Sequence, residues 1–171
     1  MQLDNFRKAL EVFRDKVIEE SKKNLKTLNK GGGNLERSIE GTDVRVTDRS
    51  LEFEIKMEDY GVFQDKGVSG IKKKYNTPYS YKTKMPPPSK LDKWTVRKGI
   101  APRDDKGRFL SRKSLQFAIA RSIFYNGIKP SLFFTTPFKK YAKGLPTELE
   151  QAFALDTEAF LEFTTKQQLN G

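Results

Sequence analysis

The side chains able to do chemistry in this chain are lysines, arginines and carboxylates. The sequence holds no His and no Cys, which removes zinc and haem ligation, thiol nucleophiles, disulfides and histidine acid–base relays. Carboxylates are the residue type that holds Mg²⁺ for phosphodiester cleavage, and Asp59, Asp65, Asp104 and Asp105 are the candidates here. No acid-rich spacing recurs among them, and no lysine stands at a recognisable offset. Asp104-Asp105 falls in a polar turn with Gly107, where acids are ordinary. The sequence therefore predicts no catalytic residue, no metal and no cofactor. The cations are the stronger signal. From Lys66 to Lys113 there are 15 Lys or Arg against three acids, Asp92, Asp104 and Asp105, a net +12, while the whole chain is +11. The remaining residues sum to −1. Such local charge repels itself unless something anionic lies opposite. The matching surfaces are a nucleic-acid backbone or an acidic protein partner, and the plainer alternative is a solvated, solubilising insertion.

The residues of that segment best placed for such contact are Lys72, Lys73, Lys74, Lys82, Lys84, Arg97, Lys98, Arg103 and Arg108. Tyr75, Tyr79, Tyr81 and Trp94 are interleaved with them, and could stack on bases or cover a small core beneath a loop. Pro86-Pro87-Pro88 reads as a stiff extended spacer. Sequence-specific reading of DNA would need a polar helix facing a groove. Ser111 to Tyr125 offers Arg112, Lys113, Gln116 and Arg121, but its many apolar residues predict burial.

The elements that must carry these residues follow from periodicity. Leu3, Phe6, Leu10, Phe13 and Val17 are spaced 3-4-3-4 and predict a helix over 3–28, extended by Ile18, Leu25 and Leu28. Gly31-Gly32-Gly33 should break it, with Asn34 capping a turn over Leu35 to Ile39. Val44, Val46, Leu51, Phe53, Ile55 and Met57 alternate with polar residues around Thr47-Asp48-Arg49-Ser50, which predicts a hairpin with those six on one buried face. A short helical turn then ends at Gly67. Ser89 to Lys98 predicts a helix with Leu91, Trp94 and Val96 inward, stopped by Gly99. Ser111 or Ser114 should cap a helix with Leu115, Ala118, Ile119, Ser122 and Ile123 inward, ended by Asn126-Gly127. Pro146 suits a first helical turn. Leu149, Ala152, Phe153, Leu155, Phe160 and Phe163 should line the last helix, with the tail from Gln167 fraying. No apolar run is long enough to span a membrane, and Met1-Gln2-Leu3-Asp4 does not begin a signal peptide.

The order of these pieces resembles the tail-completion, or neck, proteins of tailed bacteriophages, also called head–tail connector or minor tail proteins. The resemblance rests on Asn34-Leu35-Glu36-Arg37-Ser38-Ile39 after the glycine break, then the hairpin, then Asp59 to Gly67, and Pro137-Phe138 before a terminal helix. It covers roughly 28–67 and 130–165. Where the family carries a Glu-Gly-Thr step, this chain has Asp65-Lys66-Gly67-Val68. Residues 68–129 exceed the family's usual short link. The resemblance implies an α+β fold: a long N-terminal helix and C-terminal helices packed on a small antiparallel sheet, with a basic insertion. It divides the chain into a ring-forming core, 1–66 with 114–171, and an insertion, 67–113. It implies a non-catalytic virion protein, assembled in the bacterial host cytoplasm. Six copies, or twelve, would form a ring around the DNA channel, against portal or adaptor and tail proteins. Candidate subunit contacts are Tyr60, Phe63, Asp65, Phe133, Phe134 and Phe138. The alternative is a non-catalytic double-stranded DNA-binding protein.

Overall fold

The computed structural model describes residues 3–47, 50–101, 103–109 and 111–169. The chain is mostly helical with short antiparallel strand pairs, an α+β composition. It forms two compact units. Unit 1 is Met1–Gly61 with Leu132–Gly171, and unit 2 is Val62–Ser131. The second unit is wider than the expected insertion, because the helix after Ser111 packs on the segment following the prolines.

In unit 1, α1 (Asp4–Thr27) buries Leu10, Phe13, Val17, Ser21 and Leu25. That 3-4-4-4 spacing is one helical face. Ser21 tolerates burial because its hydroxyl donates to the Val17 carbonyl at 2.6 Å. The helix stops before the glycines. Asn29 adopts φ 54, and the amides of Asn29 and Lys30 return to the carbonyls of Lys26 and Leu25. This is a Schellman closure with Asn in the left-handed position. The glycines shape the following turn instead: the Gly32 amide donates to the Glu36 carboxylate at 2.6 Å, and Gly33 precedes α2 (Asn34–Ser38).

The hairpin is built from four two-residue strands. β1 (Glu40–Gly41) pairs with β4 (Ile55–Lys56), Gly41 opposite Ile55. β2 (Arg45–Val46) pairs with β3 (Leu51–Glu52), Arg45 opposite Glu52. Thr42, Asp43 and Val44 thus span the interval that Phe53 and Glu54 span on the other side. One extra residue makes a bulge. It shifts the inward set from odd to even positions, so Ile39 and Val44 are both buried. Leu51, Phe53, Ile55 and Met57 alternate as expected with exposed Glu52, Glu54, Lys56 and Glu58, but they are half-buried. The expected fully buried face is therefore incomplete. Asp48, Arg49 and the Val46 side chain lie outside the described residues.

The two separated stretches of unit 1 share one core. Leu25, Leu35, Ile39 and Phe133 are buried together, with Ile18, Ile55, Met57 and Phe134 packed against them. Phe13 stands edge-on to both Phe53 and Phe138. α6 (Thr135–Ala142) is held to α1 by Glu20, which accepts from Lys140 Nζ at 2.8 Å and the Tyr141 hydroxyl at 2.5 Å. α7 (Leu145–Leu169) lies along α1. Its Asp156, 4% exposed, accepts from the Asn5 and Phe6 amides at 3.0 Å and from Asn5 Nδ2 at 2.9 Å. A carboxylate on one helix thereby caps the free amides of another. The expected α7 lining is not a core: Ala152 is buried and Leu149 half-buried, whereas Phe153, Leu155, Phe160 and Phe163 are exposed. Helical backbone continues through Leu169, so the fraying expected from Gln167 is not seen there. The side chains of 167–169, and residues 170–171, lie outside the described set. Among the described residues no helix is long and apolar enough to cross a membrane.

Candidate partner-binding surface on unit 2

Unit 2 carries 17 Lys or Arg against four acids, a net +13. Its frame starts with α3 (Gly61–Lys66) and the buried run Gly67-Val68-Ser69-Gly70. Ser69 organises the next turn. Its hydroxyl donates to the Tyr75 carbonyl at 3.1 Å and accepts from the Tyr75 amide at 3.0 Å. Its amide donates to Tyr79 and its carbonyl accepts from Tyr81. Tyr79 packs edge-on against Phe63, 4.8 Å between ring centres, and Tyr81 tilts against Phe124. Burial pushes the Tyr81 phenol up. These tyrosines therefore cover a small core, the plainer of their two expected uses.

The lysine run has a structural task of its own. α5 (Arg112–Asn126) ends at Gly127, φ 74. The amide of Ile71 donates to the Phe124 carbonyl at 3.0 Å, and those of Lys72 and Lys73 donate to the Tyr125 carbonyl at 2.9 and 3.2 Å. Three backbone donors, two of them from residues with positive side chains, thus meet the negative end of α5. Close approach depends on glycine: a Cβ at Gly70 would sit 2.2 Å from the Tyr125 carbonyl oxygen, and one at Gly127 would sit 2.1 Å from that of Val68. The lysine side chains still point outward. Lys72 and Arg121 lie over the Tyr125 ring at 5.3 and 5.8 Å, and Lys73 lies over Tyr75 at 5.6 Å. Lys74 Nζ donates to the Gly70 carbonyl at 2.8 Å.

After extended Pro86-Pro87, a 3-10 turn (Pro88–Leu91) leads into α4 (Asp92–Arg97). Here the expected inward face is corrected. Thr95 is buried and Leu91 half-buried, while Trp94 and Val96 are 38% and 56% exposed. Thr95 goes inward because its hydroxyl returns to the Asp92 carbonyl at 2.8 Å. The Asp92 carboxylate accepts from Gln116 Nε2 at 2.6 Å and pairs with Arg112 at 3.7 Å. That bond draws Gln116 inward with Ala120 and leaves Ala118 and Ser122 exposed, so α5 is rotated from its expected face. The Ser111 hydroxyl caps α5 by accepting from the Ser114 amide at 3.2 Å.

Asp104 closes the last turn. It accepts from the amides of Lys106 and Arg108 at 3.0 and 2.8 Å and from Arg108 Nε at 2.9 Å. The Arg108 amide, with the Arg108 side chain and the Lys106 amide, holds this carboxyl below its ordinary value. Arg103 lies 3.9 Å over the Phe109 ring. Among the described residues no three carboxylates gather where they could hold one metal ion.

Lys72, Lys73, Lys74, Lys82, Lys84, Arg97, Arg103 and Arg108 are exposed, and Lys98 is half-buried. Of the expected subunit contacts, Tyr60, Phe63 and Phe138 are exposed at 44%, 40% and 41%. Phe134 is half-buried in the core of unit 1. Phe133 and Asp65 are corrections: at 0% and 4% exposed they are interior residues of the folded chain. Asp156 and Glu20 went unread in the sequence. The signal for Asp156 was a lone acid continuing the Leu149, Ala152 stripe of α7. Scans against protein-family models, curated proteins and solved structures return no match to this chain.

Proposed function

We propose that this chain is a neck, or tail-completion, subunit of a tailed bacteriophage virion. It would assemble in the host cytoplasm into a ring of six copies, or twelve, around the DNA channel. One observation carries the reading. The separated stretches of the resemblance meet in a single core, where Leu35 and Ile39 of the Asn34–Ile39 motif touch Phe133, four residues before Pro137. Exposed Tyr60 and Phe138 offer apolar contact to neighbouring copies. The net +13 of unit 2 offers charge to an acidic portal, adaptor or tail surface.

A second reading, a non-catalytic double-stranded DNA-binding protein, is favoured by the outward lysines at 72–74, 82 and 84. Native mass measurement separates the two. The chain is measured alone and then with the products of neighbouring genes. The neck reading expects rings of defined copy number in at least one of these samples. A stable monomer in both, which shifts duplex DNA at moderate salt without sequence preference, would establish the second reading instead.

A further inference from the structure

The last helix and unit 2 carry opposite chemistries. Along α7, Glu148, Glu150, Asp156, Glu158 and Glu162 stand against a single Lys166, a net −4. Asp156 is committed to the α1 amides, so the outward charge comes from the glutamates. The same helix leaves Phe153, Leu155, Phe160, Leu161 and Phe163 between 44% and 59% exposed. Apolar side chains at this density mark a contact surface. They border an open groove of about 750 Å³ whose lining includes Phe153, Thr157, Glu158, Leu161, Glu162 and Lys166; Lys166 Nζ lies 3.7 Å from Glu162 in an exposed i,i+4 pair, which an incoming cation can displace at little cost. On α5, Lys113, Phe117 and Arg121 are four apart and form one ridge. All three are exposed, and Phe117 is 52% exposed between the two cations.

We infer that the acidic, apolar groove of α7 in one copy receives the Lys113–Phe117–Arg121 ridge of a second copy. Phe117 enters beside Leu161, and Lys113 and Arg121 meet Glu158 and Glu162. Charge selects this occupant. Pairing α7 with α7 would bring two negative helices together, and nucleic acid on α7 would face its glutamates. The two surfaces are different patches of one chain; repeated head-to-tail, the contact generates a ring or an open chain, and made reciprocally it would close a two-fold dimer instead. The inference rests on the self-association in the ring reading and adds which surfaces meet.

The test uses the intact chain in sedimentation equilibrium over a range of protein and salt concentrations. Wild type self-associates, less so as salt rises. The pairs Glu158→Lys/Glu162→Lys and Lys113→Glu/Arg121→Glu each weaken association by about tenfold or more. An equimolar mixture of the two variants restores it, because each keeps one native surface and the reversed surfaces complement each other. A single chain with all four reversals restores it as well. Circular dichroism confirms retained helix, and neutral Gln substitutions at the same positions replace any pair that fails to fold, in which case weakened association of the Gln variant alone is the readout and no recovery in the mixture is expected. Three results overturn the inference: association that neither reversal moves, no recovery in the mixture of folded reversals, or a monomer at every soluble concentration. If rings with neighbouring gene products persist through those results, the neck reading survives them. If no ring forms under any condition, both fail.

Discussion

Asp156 shows how one carboxylate can decide the geometry of two helices. α1 begins at Asp4 with no capping side chain from Leu3, and Asp156 supplies the missing acceptor from α7. Burial pulls its carboxyl up, but the Phe6 and Asn5 amides outweigh that, and the net direction is down. A carboxyl whose folded value lies below its unfolded value, about 3.9 for Asp, stabilises fully above that value. The contribution is lost as pH falls through the folded value. Asp156→Asn should therefore cost about 1–3 kcal/mol near neutrality, and the difference from wild type should shrink below about pH 4. Urea unfolding at pH 7 and pH 3 measures this. Parallel losses at both values would show that the residue acts through shape alone. Glu20 shifts the same way, held down by Lys140 and then by Tyr141, so the acid limb of wild type should also loosen α6.

At the scale of elements, periodicity located the helices and missed their rotations. α1 was legible because five apolar residues repeat at helical spacing along a face that meets the rest of unit 1. α4 and α5 were placed but turned wrongly, because Asp92 bonds Gln116 and draws a polar residue inward. Tertiary hydrogen bonds of that kind leave no local pattern. The bulge in the hairpin was equally silent, since an extra residue in one strand leaves the other strand's alternation intact. The basic surface was legible as charge. The α5 cap made by the lysine backbone was not, because residues 71–73 and 124–125 meet only in the fold. These distinctions set different expected costs. Phe133→Ala, at a fully buried site, should cost about 3–5 kcal/mol, and half-buried Phe53→Ala about 1–3 kcal/mol. Equal losses in denaturant midpoint would contradict the bulged, half-open hairpin. Gly127→Ala should be worse than its size implies, because φ 74 and the Val68 carbonyl at 2.1 Å both oppose a Cβ. Amide exchange in 67–73 and 124–128 would report it as lost protection; unchanged protection would refute the capping role.

At the scale of the whole molecule, the division into two units makes a surgical test possible. The chain enters and leaves unit 2 at one place: Ser131 donates its amide to the Gln64 carbonyl at 3.2 Å, and its hydroxyl to the same oxygen. A short Gly-Ser linker can therefore join Gly61 to Leu132 without stretching unit 1. That shortened chain should keep a cooperative thermal transition, because the Leu25, Leu35, Ile39 and Phe133 core lies wholly in unit 1. On the proposed neck function it should fail to assemble into particles. A molten or aggregated product would mean that unit 1 needs unit 2 to fold. What the charge meets can be tested at the side chains with the α5 cap kept, at the loss of one side-chain bond, from Lys74 Nζ to the Gly70 carbonyl. Lys72 and Lys73 cap α5 through their amides, so changing Lys72, Lys73, Lys74, Lys82 and Lys84 to Gln removes five charges and leaves the caps. If those lysines meet phosphates, each contact removed should flatten the slope of log affinity against log salt by about 0.9, alike for every sequence. Ring assembly would then persist. If assembly fails while duplex binding was never measurable, the lysines serve an acidic protein surface. The second outcome is the expected one. Lys72 and Lys73 lie over tyrosine rings, and a patch that pairs charge with fixed apolar rings suits a protein neighbour. A channel wall gripping DNA through many phosphates would oppose its passage.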